Sequence, residues 1–175
     1  GRVSDFAFNF FNVEGNLQKI ISNSDRAMLS STTRIRVRYA DTDQMKFVYY
    51  SKYLEYFEQG RSDLLRQIGL PYAEVERTGY FLPVVEAYVK YLQPARYDEL
   101  IEVKTMLQEI PAARIRINYE VLRASDSVVI AEGHMVHSIV NSETGKPVRT
   151  PRLFVEAIAT AFKKALKTKQ PLLEA

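Results

Sequence analysis

Two aspartates, Asp41 and Asp43, stand one residue apart in the stretch YADTDQMKFVYYSKYLEYFEQGR, which runs from Tyr39 to Arg61. A short hydrophobic link and then an aromatic-rich helical pattern follow them. A carboxylate can act as a base or a nucleophile. The first turn of a helix offers N–H groups without intrahelical partners and a partial positive charge. A carboxylate facing the amino end of a buried helix is therefore a candidate site for acyl transfer. The plainer reading of Asp-x-Asp is a turn or a helix cap, because Asp hydrogen-bonds its own backbone in turns. Glu55 and Glu58, three residues apart on the helix, are further candidates. Their plainer reading is structural, with Glu58 and Arg61 able to pair on one face.

Other chemistries find little footing. The chain has no cysteine, which excludes disulfides, thiolate nucleophiles and Cys-ligated zinc. It has no Gly-rich phosphate loop, no GxSxG and no HExxH. His134 and His137 are the only histidines. Three apart in a strand they point to opposite faces and cannot jointly hold a metal. No metal or redox cofactor is expected, and no transmembrane span. The net charge of +3 and the Lys163, Lys164, Lys167 and Lys169 cluster suit a solvated helix face or an anionic partner. The arginines of RIRVRY and RIRI alternate as wet strand faces do, so no nucleic-acid partner is expected.

The elements that must position the acids follow from periodicity. RIRVRY reads as a strand with Ile35, Val37 and Tyr39 on one face. Ser51 to Ile68 reads as a helix stopped by Gly69 and Pro71, its apolar stripe holding Tyr53, Leu54, Phe57, Leu64, Leu65 and Ile68. Alternating runs from Val85 to Tyr91, Ile101 to Leu107 and Ile115 to Val121 read as strands, as does the more apolar run Val128–Val140. Thr150 as the cap and Pro151 as the opening residue start a terminal helix. Consecutive strands joined by short turns pair antiparallel, so the expectation is an α+β domain whose sheet wraps one long helix. Residues 31–170 are expected to form this domain. Residues 1–30 are expected to be an N-terminal extension of vector or upstream origin, with Met28 as a natural start and no secretory pattern.

The chain resembles the 4-hydroxybenzoyl-CoA thioesterase family of hotdog proteins, closest to its YbgC-like acyl-CoA thioesterase branch, over about residues 33–165. The carrying pieces are RVRYADTDQMKFVYYSKYLEYFEQGR, IGLP, VKYLQPARYDELIEV and NSETGKPVR. The resemblance implies a hotdog fold and hydrolysis of an acyl-CoA or acyl carrier protein thioester. It implies a cytoplasmic homodimer or homotetramer with sites at the subunit interface. It assigns the catalytic carboxylate to Asp43 and the oxyanion-stabilising N–H to Tyr50, and leaves Asp41 as a turn-shaping residue. Arg114 is the residue nearest to where relatives hold CoA phosphates. Two departures stand out: Lys46 where many members carry Gly, and Tyr50 where YbgC-like members carry His. A non-catalytic hotdog that only binds or senses acyl-CoA is the alternative.

Overall fold

The computed structural model describes residues 28–169. Most of the expected N-terminal extension, residues 1–27, lies outside it. The sheet has five strands in the order β1-β4-β5-β6-β3: β1 (Leu29–Arg36), β3 (Val84–Tyr91), β4 (Leu100–Leu107), β5 (Arg114–Arg123) and β6 (Val129–Ser138). Every pairing in it is antiparallel. Two short strands, β2 (Tyr80–Phe81) and β7 (Val140–Asn141), form a separate ribbon. The helices are α1 (Lys52–Gln67), α2 (Tyr72–Arg77) and α3 (Arg152–Lys169). This is the expected hotdog architecture, an antiparallel sheet wrapped around one long helix with a C-terminal helix added.

Alternation in β4 and β5 places Ile101, Val103, Thr105, Ile115, Ile117, Tyr119 and Val121 inward, all of them buried. The stripe of α1 meets that face. Phe57 stacks on Tyr119 with ring centres 4.2 Å apart and planes 4° apart. Gly60 is where the helix comes closest to the sheet, since a Cβ there would run into the Thr105 hydroxyl. Burial of this kind contributes roughly 25 cal/mol per Å² of apolar surface, far more than helix propensity does.

Four details depart from the sequence reading. β1 starts at Leu29, taking in two residues assigned to the extension, because Leu29 is buried and pairs with Leu107. The same strand stops at Arg36, and Tyr39 lies 78% exposed in a 3-10 turn instead of on the inner face. The Arg38–Asp41 contacts bend the chain there. At α3 the first free amides, of Phe154 and Val155, go to the Pro151 carbonyl, so Pro151 itself is the cap. The Thr150 hydroxyl is buried without a partner among the described residues. Finally, α2 and the β2–β7 ribbon were not foreseen, being too short to show a period.

Candidate active site

The expected site lies on a small hairpin between β1 and α1. Thr42 and Val48 bridge its arms. Inside it the Asp43 N–H donates to the Phe47 carbonyl at 3.1 Å, and the Lys46 N–H donates to the Asp43 carbonyl at 2.9 Å. The loop closes only because Lys46 takes φ 63°, the left-handed region that suits glycine. This backbone demand suits the Gly that the resemblance leads one to expect at this position. Asp43 is half-buried. Its Oδ1 accepts the Met45 N–H at 2.8 Å, which fixes the carboxylate's direction and leaves Oδ2 with no hydrogen bond among the described residues.

Asp41 plays a different part. It is 1% exposed and holds the hairpin's base. Its Oδ1 accepts Arg38 Nη2 at 2.8 Å, and its Oδ2 accepts the Arg38 N–H at 3.1 Å and the Tyr56 hydroxyl at 3.0 Å. Burial pushes its pKa up, but the hydrogen bonds from Arg38 and Tyr56 and the Arg38 charge outweigh that and hold it below the usual carboxylate range. Burial and the neighbouring Asp41 charge in turn push the Tyr56 phenol up, so it stays a neutral donor. The Asp41 carbonyl also accepts the Tyr49 N–H at 2.9 Å. One buried residue therefore ties β1, the hairpin and α1 together.

The second arm of the hairpin leads into α1. Tyr50 lies in the turn two residues before the helix, 60% exposed and tilted against Tyr49 with ring centres 4.4 Å apart. The amides on either side are used: Tyr49 N–H goes to Asp41 and Lys52 N–H to the Tyr49 carbonyl. The Tyr50 N–H has no acceptor among the described residues. Its carbonyl accepts the Tyr91 hydroxyl at 3.0 Å, which anchors the turn to β3. Asp43 and Tyr50 thus stand on the two arms of one hairpin.

Arg114 does not join them within one chain. It is exposed at the start of β5 opposite Ser138, whereas the Tyr91 end of the sheet pairs through Ala131 to Val121. Seven residues of strand separate these levels, roughly 23 Å. The expected Glu58–Arg61 pair is not formed either. Glu58 is exposed, while Arg61 turns inward and meets His137 at 3.1 Å. The spacing held the signal, since Arg61 is four residues after Phe57 and three before Leu64, on the apolar stripe. The two histidines do face opposite ways: His134 lies on the outer face against Glu86 at 2.6 Å, and His137 on the inner face. Tyr56, the Asp41 partner, was also missed, though it lies three residues after the buried Tyr53.

A family model described as the thioesterase-like superfamily matches residues 37–163. YneP of Bacillus subtilis strain 168 is 32% identical over 137 residues, covering 78% of this chain and 98% of its own. The acyl-CoA thioesterase YbgC of Haemophilus influenzae is 27% identical over 119 residues, covering 67% of this chain and 86% of its own. The crystal structure of a DHNA-CoA thioesterase from Staphylococcus aureus superposes with a TM-score of 0.71 at 29% identity, covering 83% of this chain and 97% of that one.

Proposed function

This chain belongs to the thioesterase-like superfamily, and from that premise we propose that it hydrolyses the thioester of an acyl-CoA or acyl carrier protein. Asp43 is the base or nucleophile and the Tyr50 N–H is the oxyanion donor. The observation that carries this reading is the hairpin, which leaves a half-buried carboxylate oxygen and an unused N–H on its facing arms. A thioester carbonyl set between them would have its developing charge met by the N–H. One such donor is typically worth about 3–4 kcal/mol. The carboxylate would activate water, or attack the carbonyl to give a mixed anhydride that water then cleaves.

A homodimer completes the site. β3 is an edge strand whose apolar side chains are left bare: Val84, Val85, Tyr88 and Tyr91 are each about half exposed. An edge of this kind invites pairing with another strand. Antiparallel pairing of β3 with its own copy about a twofold axis sets one chain's Val84 end beside the other's Tyr91 end. Arg114 of the partner subunit then comes to the same end as Asp43 and Tyr50, which gives it access to a CoA phosphate.

The test is turnover of a panel of acyl-CoAs by the wild type and by Asp43→Asn. The amide is nearly isosteric but is neither a base nor an anion. Turnover should fall about 100-fold or more with unchanged circular dichroism. An Asp43→Asn enzyme within a few-fold of the wild type would remove Asp43 from the chemistry.

A further inference from the structure

Arg61 is 9% exposed, and among the described residues no carboxylate pairs with it. Its Nη1 lies 3.1 Å from His137 Nδ1, and its guanidinium lies 5.4 Å from the centre of the Tyr72 ring. The same Nδ1 lies 3.2 Å from the Leu82 carbonyl, which only accepts, but the guanidinium is charged, only donates and is nearer, so Nδ1 accepts from Arg61 and the neutral ring carries its proton on Nε2. The ring stays neutral because burial and the Arg61 charge pull its pKa down to about 4. Among the described residues, Arg61 Nε and His137 Nε2 are both buried without partners, as are the inner-face hydroxyls of Tyr119 and Thr105. A buried cation beside unused donors is costly unless something accepts from it.

The fold connects this pair to the proposed reaction centre. The inner face of β3 carries Val84, Ala87, Val89 and Tyr91, all exposed except the half-buried Val89. Its Tyr91 end holds the Tyr50 carbonyl, and its Val84 end pairs with His137. The exposed floor therefore runs from the start of α1 to the strand position of His137. Alongside it, α1 rises roughly 16 Å from Tyr50 to Arg61.

We propose that Arg61 and His137 read the far end of the acyl group, so that the protein favours acyl thioesters ending in a carboxylate. This rests on the hydrolase reading above. A carboxylate would accept from Arg61 Nε–H and His137 Nε2–H and neutralise the guanidinium. A methyl terminus would leave both donors unpaired, and a site built to pair an oxygen rejects the analogue that lacks it. The matching chain spans on the order of 10–15 Å once the side chains at both ends are allowed for.

The experiment compares kcat/KM of the wild type on two CoA thioesters of that length, one ending in carboxylate and one in methyl. The carboxylate should be preferred tenfold or more, the scale of a hydrogen bond to a charged group. Arg61→Met should abolish the preference, Arg61→Lys should keep part of it, and His137→Phe should narrow it. Parity or a methyl preference in the wild type overturns the inference and leaves the hydrolase reading standing, even if Arg61→Met fails to fold. A carboxylate preference that survives in folded Arg61→Met also overturns it. Hydrolysis of neither ester overturns both readings.

Discussion

Two aspartates separated by a single residue have been given opposite environments. Asp41 is buried under donors from Arg38 and Tyr56, and its depressed pKa marks a carboxylate already committed to structure. Asp43 spends one oxygen on its own turn and keeps the other. The same contrast holds between neighbouring amides, since Tyr49 and Lys52 have acceptors and Tyr50 does not. A role for the Tyr50 N–H makes its side chain secondary. Tyr50→Phe should retain most turnover of a good acyl-CoA. Tyr50→Pro should lose about 100-fold or more, the scale of one oxyanion donor, yet keep its thermal melt, because proline suits the entry to a helix. An active, folded proline variant would remove the amide from the mechanism. A folded but inactive phenylalanine variant would place the hydroxyl in the site.

At the scale of elements, the hairpin carries the proposed site and α1 is its foundation. The loop is strained at Lys46, whose left-handed backbone costs a non-glycine residue roughly 1 kcal/mol. Lys46→Gly should therefore stabilise the protein by about 0.5–1 kcal/mol, seen as a Tm rise of roughly 1–4 °C. A fall in Tm would mean that the Lys46 side chain makes contacts worth more than the strain. The helix is fixed less by its caps than by what it lies on: Ser51 makes no side-chain cap, whereas Phe57 and Gly60 meet the sheet closely. β3 contributes through Tyr91, which pins the Tyr50 turn from the sheet side.

At the scale of the molecule, two properties call for measurement. The bare β3 edge should make the protein a dimer at micromolar concentration by sedimentation equilibrium. Replacing Val85 and Tyr88 together with Asp should shift the mass toward one chain and reduce turnover with it. A wild type that sediments as a monomer while turning over would show that one chain suffices. Stability should also depend on pH through His137. Its folded pKa, about 4, lies below the unfolded value of about 6.5, with burial and then the Arg61 charge as the causes. Between those values the unfolded chain takes up a proton that the folded chain refuses, so stability falls as pH drops from 6.5 toward 4. The window is worth about 3 kcal/mol at most. His137→Phe should flatten the fall in Tm across it, and an unchanged slope would show that other groups carry the acid sensitivity.

The long helix, the antiparallel strands and the Asp-x-Asp ahead of the helix were all legible in the sequence, because period and spacing are local properties of the chain. RIRVRY and the Ser51–Ile68 stripe place β1 and α1 to within a few residues. The spacing set Arg61 on the apolar stripe, but its partner was not legible: His137 lies 76 residues away. The division between Asp41 and Asp43 was implied by the resemblance, but its physical cause was not legible, since it depends on Tyr56 reaching back across 15 residues. Burial and long-range hydrogen bonds decide which polar groups are consumed by the fold and which are left over for chemistry. Those arise only when distant segments pack, so the tertiary structure supplied the physical difference between the two aspartates that the resemblance had only implied, and it alone brought the Arg61–His137 pair together.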